Sequence, residues 1–527
     1  MIRLLIAVLL SGASVTHAAE TFTFSSKQGP HAVGLRIQQQ YDRSRAYKNG
    51  VSLITGQPTS GERARPMQTL VWYPAEGGGK PVTFRDYLSL RASEADFTHT
   101  PDEVRRVTET MIANLRSRLP EASRVVAQPM WAVRDAPAQK GRFPVVIYAP
   151  SFSASASENA DLCEYLASQG YIVLASASQG TRTRAMTDDL DGLEAQAADI
   201  GYLIAYAASL GNADTDRIAV AGFSWGGLAN VLAAARDNRI KALVSLDGSV
   251  RYYPQMVDGG KDAARYVSAA QLPVPMLYVS RRAPSMEELN RKGNSTGFSL
   301  LNEMKYSDVM VVTMQPMLHS HFASDGLRFT PDNQFGDYTQ AEVSTAYSWM
   351  AQYVHRFLDA YLKNDPAARG FIANKPRDNG APAHMVAVDM RPGGGAPPTR
   401  ESFARQLAAR GFDKAASIHA DMKSQGARFA LEPHDLNTWG YELLGRGMVT
   451  EAIAIFRFGT QLHPADANLF DSLGEAEATG GLREDAIRSY RHSLALNPAN
   501  TNAVERLKLL RAPAEKPGPV PGPASAH

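Results

Sequence analysis

The segment Gly222-Phe-Ser-Trp-Gly226 has the residue types of a nucleophilic turn. It follows a short apolar run, 218–221, and opens a stretch of helical periodicity. A serine between glycines in a strand-to-helix turn exposes its hydroxyl, and the next backbone amide points at negative charge that develops there. We therefore predict that Ser224 is a nucleophile and that the Trp225 N–H stabilises an oxyanion. The alternative is a tight turn that contains a serine without using it.

A second match to the same pattern, Gly293-Asn-Ser-Thr-Gly297, lacks this context. It follows Asn290-Arg-Lys, and no apolar run leads into it. Because the nucleophilic turn needs a preceding strand, we exclude Ser295.

The predicted acid is Asp247. A serine hydroxyl needs a base to take its proton, and the base needs a carboxylate to hold its tautomer. After a turn of this kind the chain order is serine, acid, histidine. Asp247 follows the next apolar run, 242–246, whereas the stretch after 276–279 reads Ser280-Arg-Arg-Ala-Pro-Ser and has no carboxylate. The other possible role of Asp247 is a turn with Gly248.

Two histidines, His319 and His321, follow the last apolar run, 309–314. We favour His319 as the base, and the alternative role for His321 is a supporting or substrate-contacting one. His355 falls within an amphipathic helical pattern and is interpreted as a surface or packing residue. His384 lies beyond the expected sheet.

Apolar runs that alternate with helical stretches predict the elements that position these side chains. Short Val-, Ile- or Leu-rich runs between turn residues are typical of strands buried on both faces of a parallel sheet, so we predict an α/β fold. The predicted strands are Val33–Gln39, Gln68–Trp72, Val145–Tyr148, Tyr171–Ala175, Ile218–Ala221, Ala242–Leu246, Met276–Val279 and Val309–Met314. The predicted helices are Glu158–Ser168, Leu190–Leu210, Trp225–Arg236 and Glu342–Leu362.

Residues 82–128 interrupt this alternation. Thr100-Pro-Asp-Glu103 has the spacing of a capping box with proline at the first helical position, and a one-sided apolar pattern follows it. We predict a helical insertion that is either a cover over a pocket or a packing element without a part in binding.

The region after residue 400 contains an internal repeat. A shift of 34 residues aligns Gly440 with Gly474, Gly447 with Gly481, Ala452 with Ala486, Ile453 with Ile487, Phe456 with Tyr490, Leu462 with Leu496 and Pro464 with Pro498. This period resembles the tetratricopeptide repeat. Two copies are clear, and about three are needed to bury a continuous core, so helices within 401–425 or the α/β domain must complete it.

Composition at the ends and between the two regions predicts the domain organisation. Residues 1–19 combine Arg3, an apolar run and small residues, the pattern of an export signal cleaved near Ala18 or Ala19. We therefore expect a periplasmic or secreted protein. The remaining parts are an α/β domain (20–390), a Pro/Gly-rich linker (391–400), a helical domain (401–511) and a Pro/Gly/Ala-rich disordered tail (512–527).

Charge and composition narrow the class of protein. The chain has 527 residues and a net charge of +2, which provides no basic field for nucleic acid. Its one cysteine, Cys163, cannot form a disulfide within the chain or a thiolate zinc cluster. No apolar run reaches the roughly 18 residues of a membrane-spanning helix. We predict a soluble multidomain protein that needs neither a metal nor an organic cofactor.

Several segments resemble the α/β-hydrolases of the plasma-type platelet-activating-factor acetylhydrolase and dienelactone hydrolase group. They are Thr69-Leu-Val-Trp-Tyr-Pro74, Phe143-Pro-Val-Val-Ile-Tyr148, Leu166-Ala-Ser-Gln-Gly-Tyr-Ile-Val173, the turn at Ser224 and Leu318-His-Ser-His-Phe-Ala323. The resemblance covers about residues 28 to 365 and implies the α/β-hydrolase fold. In the acetylhydrolase branch the acid follows the strand after the nucleophile, as Asp247 does. The histidine there begins a His-x-x-Phe-Ala segment, which selects His319.

Two departures from that group concern the chemistry. The family usually has His-Gly after the first buried strand, in the loop that supplies the second oxyanion amide. This chain has Pro150-Ser151 there, so by position the donor is the Phe152 amide. Dienelactone hydrolases use a cysteine where this chain has Ser224, which favours a conventional ester over a butenolide.

The sequence thus predicts two-step acyl transfer from a small-molecule or lipid-like ester to water through Ser224, His319 and Asp247. Phe152, Trp225, Tyr252 and Tyr253 are predicted to line an apolar pocket for an acyl or aryl group, or else belong to the core. The alternatives are a thioesterase or peptidase, and an inactive scaffold whose repeats bind a protein partner. The repeats could also pair two copies of the chain or only cap the catalytic domain.

Overall fold

The computed structural model describes residues 22–251, 267, 269, 272–291, 300–395, 397–424 and 429–511. The chain divides into two compact units, Met1–Gly395 and Ala396–His527. Tyr252, Tyr253, Ser295, the predicted export signal and the predicted tail lie outside the described residues. Within the described ranges, no helix is both long and apolar enough to cross a membrane.

A single mixed sheet forms the centre of the first unit. Its strands are β1 (Ala32–Ala46), β2 (Ala64–Ala75), β3 (Pro81–Thr83), β4 (Pro129–Arg134), β5 (Phe143–Ala149), β6 (Ile172–Ser176), β7 (Ala213–Phe223), β8 (Ile240–Leu246), β9 (Met276–Arg281), β10 (Val309–Met314) and β11 (Val386–Arg391). They are arranged in the order β11-β10-β9-β8-β7-β5-β6-β2-β1-β4-β3. Neighbours from β5 to β10 pair in parallel, whereas β2, β3 and β11 pair antiparallel.

Each predicted strand is present, so the prediction of a mainly parallel α/β sheet is confirmed. The strands β3, β4 and β11 were not predicted. The strand β3 has only three residues. In β4 only alternate side chains are buried, and in β11 none is fully buried, so neither strand forms an unbroken apolar run. Arg391, the first residue of the predicted linker, is the last residue of β11.

Helices cover both faces of the sheet. They are α1 (Phe84–Leu90), α2 (Pro101–Arg116), α3 (Ala122–Val126), α4 (Ala160–Ser168), α5 (Leu190–Ala207), α6 (Trp225–Ala234), α7 (Met286–Arg291), α8 (Leu300–Glu303), α9 (Ser324–Phe329), α10 (Gln340–Leu362) and α11 (Pro366–Ala373). All four predicted helices are present, with ends within three residues of the prediction. Glu158, predicted to begin α4, instead lies in the loop before it.

Alternating side chains of β5 show how the core is divided. Val146 and Tyr148 belong to one apolar cluster, together with α4 and α10, whereas Val145 and Ile147 belong to another, together with α5 and α6. Successive side chains of a strand point to opposite faces, so both faces of the sheet are buried. This burial explains the unbroken apolar runs of the central strands.

The inserted segment 82–128 is part of the core of the first unit. Phe84 and Tyr87 of α1 are completely buried against the sheet, and the flanking strands β3 and β4 extend the sheet at its edge. The predicted capping box is present, because the Thr100 hydroxyl accepts a hydrogen bond from the Glu103 N–H at 3.3 Å. The helix α1 thus packs in the core, and the choice between a cover over a pocket and a packing element stays a prediction for the insertion.

The second unit is helical and retains the spacing of the sequence repeat. Its helices are α12 (Arg400–Arg410), α13 (Ala415–Ser424), α14 (Pro433–Gly445), α15 (Val449–Leu462), α16 (Ala467–Thr479), α17 (Arg483–Leu496) and α18 (Thr501–Arg511). The aligned glycines lie against the aligned aromatic rings: a Cβ at Gly440 would be 2.3 Å from Phe456, and one at Gly474 would be 3.0 Å from Tyr490. Phe403 of α12 packs on Phe458 at 5.7 Å between ring centroids, so the helices within 401–425 do extend the core.

Glu164 joins the insertion to α4, and its ionisation gives a testable pH dependence. The buried carboxyl accepts hydrogen bonds from the Tyr87 hydroxyl and the Trp131 N–H, each at 2.6 Å. Burial raises its pKa to about 7. Above the ordinary pKa of a glutamate, the folded chain therefore keeps a proton that the unfolded chain releases. Because of this difference, the free energy of unfolding decreases as pH rises from about 4.5 to 7.

We expect Glu164→Gln to remove this dependence. Relative to wild type, the variant should gain up to about 3 kcal/mol in free energy of unfolding when the pH rises from 4.5 to 8. Urea unfolding at several pH values, followed by circular dichroism, measures it. Glu109→Gln, at an exposed position of α2, is the control and should show no such shift. An unchanged pH dependence in Glu164→Gln would mean that the folded chain holds this carboxyl ionised.

Candidate active site

The predicted site residues follow parallel strands at one edge of the sheet. Ser224 follows β7, Asp247 follows β8, and His319 begins the 3₁₀ turn His319–Phe322 after β10. In the register of β7 and β8, Phe223 pairs with Leu246, so the two residues that follow them are neighbours. The carboxyl ends of parallel strands share one edge of a sheet, where loop residues from separate strands converge.

Ser224, His319 and Asp247 form a chain of hydrogen bonds. His319 Nε2 lies 2.9 Å from Ser224 Oγ, and His319 Nδ1 lies 2.5 Å from Asp247 Oδ2. The Asp247 side chain is 5% exposed and that of His319 is 42% exposed. A buried carboxylate that accepts the Nδ1–H leaves the Nε2 lone pair directed at the serine hydroxyl.

Arg281 adds two contacts to the Asp247 carboxylate. Its backbone N–H donates to Oδ1 at 3.3 Å, and its Nε lies 3.5 Å from Oδ2. Sequence reasoning considered this segment only for its lack of a carboxylate. It missed Arg281 because nothing in the spacing of β8 and β9 indicates a contact between their loops. With the histidine, these donors satisfy a carboxylate that would otherwise be costly to bury.

The turn at Ser224 has the backbone strain of a nucleophilic elbow. Ser224 has φ 53° and ψ −113°, a conformation that L-residues rarely adopt. A Cβ at Gly222 would be 2.5 Å from the Gly226 carbonyl carbon, and one at Gly226 would be 2.0 Å from the Ala149 carbonyl oxygen. Only glycine permits these approaches, so α6 begins directly against the end of β5.

Phe152 and Trp225, whose amides are the predicted oxyanion donors, are in contact through their rings. Gly226 packs on Ala149 and Pro150, and the Phe152 and Trp225 rings meet edge to face at 5.7 Å. Trp225 is the first residue of α6, where backbone N–H groups point out of the helix. Among the described residues, the Phe152 N–H has no hydrogen-bond acceptor.

His321 lies behind the site. It is completely buried, its Nδ1 accepts a hydrogen bond from the Leu318 N–H at 3.0 Å, and its ring stacks on Phe335. Burial lowers its pKa to about 4, so the ring is neutral at neutral pH. The contacts brace the turn that carries His319. These contacts fit the supporting alternative for His321, and its role stays a prediction.

The surface around Ser224 and His319 combines apolar and cationic side chains. Phe152 and Leu318 are 42% and 46% exposed, and Phe223 packs against the His319 ring at 5.0 Å between centroids. Arg281 is partly exposed beside them. In the described part of the chain, no three His, Cys, Asp or Glu side chains are arranged to hold a metal ion.

Comparisons with known proteins match the first unit in part. The model of the X-Pro dipeptidyl-peptidase (S15 family) matches residues 130–355. Over 128 residues the chain is 31% identical to a Methylorubrum extorquens protein named "Putative carboxymethylenebutenolidase", a match that covers 22% of this chain and 44% of that protein. The chain thus spans less than half the length of this curated relative. A ferulic acid esterase structure from Streptomyces cinnamoneus aligns with 65% of this chain and 94% of its own, at 20% identity and a TM-score of 0.44.

The sheet and the sequence matches together define the class of the first unit. A mainly parallel sheet with helices on both faces carries the site at the carboxyl ends of its strands. The S15 match, over residues 130–355, lies within this unit. The first unit therefore has an α/β-hydrolase-like fold, the fold class that the sequence predicted.

The close approach at Gly226 predicts a strong effect of one methyl group. In Gly226→Ala the added carbon would collide with the Ala149 backbone and displace Ser224. We therefore expect the free energy of unfolding to fall by about 2 kcal/mol or more. Gly201→Ala in α5 is the matched control, because its Cβ would meet nothing within 4 Å. It should stabilise the protein by about 0.5–1 kcal/mol through helix propensity. Thermal unfolding compares the two, and equal stability would contradict the described packing.

Proposed function

We propose that the first unit is a serine hydrolase that cleaves carboxylic esters by two-step acyl transfer. The observation that carries the proposal is the chain from Ser224 Oγ through His319 to Asp247, with distances of 2.9 Å and 2.5 Å. Such a reaction requires a nucleophile, a base and an acid that are hydrogen-bonded in this order, with the nucleophile on a strained strand-to-helix turn.

In the first step, Ser224 Oγ attacks the ester carbonyl while His319 Nε2 takes its proton. Asp247 stabilises the imidazolium that forms, and the amides of Trp225 and Phe152 hold the oxyanion. Collapse of the tetrahedral intermediate breaks the bond to the alcohol, which leaves with the proton from His319. In the second step a water molecule, deprotonated by His319, attacks the acyl-enzyme, and the carboxylic acid leaves as Ser224 regains its proton.

The described surface favours an ester with an apolar acyl or aryl group. Exposed Phe152 and Leu318 flank the site, and apolar contact there would hold such a group next to Ser224. This fits the resemblance to the acetylhydrolase branch and supports a small-molecule or lipid-like ester. Tyr252 and Tyr253 remain proposed as further lining residues.

A peptidase is the second candidate, because the matching family model describes an X-Pro dipeptidyl-peptidase. Recognition of a free peptide N-terminus calls for a carboxylate or carbonyl partner for its ammonium group. The described cavity that Arg281 and Leu318 line also carries the carboxyl side chains of Glu288 and Asp337. The preference for the ester therefore rests on the exposed apolar side chains of Phe152 and Leu318 beside Ser224 and His319.

Variants at the three residues test the mechanism. We expect Ser224→Ala and His319→Ala to lower kcat/KM for p-nitrophenyl esters by about 10⁴-fold or more, and Asp247→Asn by about 10³- to 10⁴-fold, because the wrong tautomer of His319 would be held. Ser320→Ala, at an exposed serine in the same turn as His319, is the control and should keep full activity. Retention of most activity in Ser224→Ala would exclude Ser224 as the nucleophile.

A substrate panel separates the candidate activities. p-Nitrophenyl esters of increasing acyl length, thioesters and Xaa-Pro-p-nitroanilides should be compared on the same preparation. We expect the highest kcat/KM for an ester and labelling of Ser224 by a fluorophosphonate. Preference for an Xaa-Pro anilide would favour the peptidase, and failure of both turnover and labelling would favour an inactive scaffold.

The second unit is proposed to be a domain of tetratricopeptide-like repeats. The 34-residue offset between helix starts at Val449 and Arg483, and the glycine-to-aromatic contacts that repeat with it, support this proposal. Its surface would bind a protein partner or a second copy of the chain. Residues 1–19 are proposed to direct export, and residues 391–400 are proposed to be a linker.

A further inference from the structure

The loop between β5 and α4, residues 150–159, is held in place by carboxyl side chains. The Ser151 N–H donates to Glu158 Oε2 at 2.9 Å, and the Ser151 hydroxyl makes a short hydrogen bond with the other Glu158 oxygen. The Tyr148 hydroxyl donates to the same carboxyl at 3.2 Å. Glu158 is 4% exposed, and its two bonds to the partly exposed Ser151 are partly buried.

Anchoring Ser151 at two points determines the direction of the next amide. The Phe152 N–H belongs to the peptide unit that starts at the Ser151 carbonyl, and its direction follows from the backbone torsions of Ser151. With both the Ser151 amide and its side chain bonded to Glu158, these torsions are restrained. The Phe152 N–H is left as the unbonded donor in the described structure.

Other side chains hold the rest of the loop but do not contact Ser151. Gln196 Nε2 donates to the Pro150 carbonyl at 2.7 Å, and Arg184 Nη1 donates to the Ser153 carbonyl at 3.1 Å. Glu94, from the insertion, accepts from the Ala156 N–H at 2.9 Å and pairs with Arg184 at 2.9 Å. The Ala154 N–H also donates to the Ser151 carbonyl at 3.1 Å, so this turn holds the peptide unit of the Phe152 N–H from one side. Glu158 is the side chain that holds Ser151 itself from the other.

The surroundings of Glu158 keep its carboxyl neutral. Burial and the neighbouring Asp325 carboxylate raise the pKa of Glu158 to about 8. Besides Asp325 on α9, the polar groups that face it are the hydroxyls of Tyr148 and Ser151. A neutral acid can accept from the Ser151 N–H and donate to the Ser151 hydroxyl, and it places no negative charge behind an oxyanion site.

We propose that Glu158 is a positioning residue of the oxyanion site, which holds the Phe152 N–H toward Ser224 through its two bonds to Ser151. In this chain the carboxyl compensates for Pro150-Ser151, which stand where the related hydrolases usually have His-Gly. The inference rests on the proposed ester hydrolysis. It predicts an effect on the transition state rather than on substrate binding, because the donor acts where charge develops.

Two substitutions of matched size test this role. Glu158→Met fills a similar volume without a group that can bond Ser151, and we expect kcat for a p-nitrophenyl ester to fall by about 10- to 100-fold with little change in KM. Glu158→Gln retains one acceptor and one donor, and its kcat should stay within about 3-fold of wild type. Affinity for a phenylboronic acid, which mimics the tetrahedral intermediate, should weaken in parallel with kcat in the Met variant only.

Ser151→Ala is a second test in case the Met variant does not fold. It removes only the side-chain bond and should lower kcat by a few fold with KM unchanged.

The outcomes separate this inference from the proposed function. If wild type turns over esters and Ser224→Ala does not, while folded Glu158→Met keeps wild-type kcat and boronate affinity, the role of Glu158 is wrong and the hydrolase stands. A Gln variant as impaired as the Met variant would also overturn it, and so would unchanged kcat in Ser151→Ala. Wild type without turnover or boronate binding would overturn the proposed hydrolase, and the inference with it.

Discussion

The hydrogen bond between the buried Asp247 carboxylate and His319 is the interaction on which the rest of the site depends. A carboxylate that is 5% exposed needs partners, and it finds them in the imidazole and in Arg281. Those partners are the last residue of β9 and a residue of the turn after β10, so the carboxylate ties the ends of neighbouring parallel strands together. The same bond leaves His319 Nε2 directed at Ser224, so this one contact both ties the strand ends together and orients the base.

Close backbone approach gives the site its second constraint. Gly226 brings the start of α6 against the end of β5, and this joins the serine turn to the loop that carries Phe152. That loop depends on residues far away in sequence: Glu94, which bonds Ser155 across 61 positions, comes from the inserted segment. The insertion is therefore a support for the site as well as part of the core, and it contributes no reacting group among the described residues.

Prediction from sequence succeeded where the signal was local and failed where it was not. The central strands were found because burial on both faces produces unbroken apolar runs. The edge strand β11 was missed because its side chains are only partly buried, so Val386–Arg391 lacks such a run. The pairing of Ser224, Asp247 and His319 could be predicted because chain order and strand ends restrict the choice, whereas the supporting role of His321 depended on its burial against Phe335.

The sequence by itself determined the α/β alternation, the glycine-flanked serine turn, the 34-residue repeat and a short list of acid and base candidates, because each is a pattern of neighbouring residues. Only the tertiary structure decided which side chains support them. Arg281 beside Asp247 and Glu94 beside Ser155 are contacts between segments that are far apart along the chain, and Glu158 beneath Ser151 depends on how one loop folds back on itself. They arise when strands adopt their register and loops pack on one another, and no spacing along the chain encodes those distances.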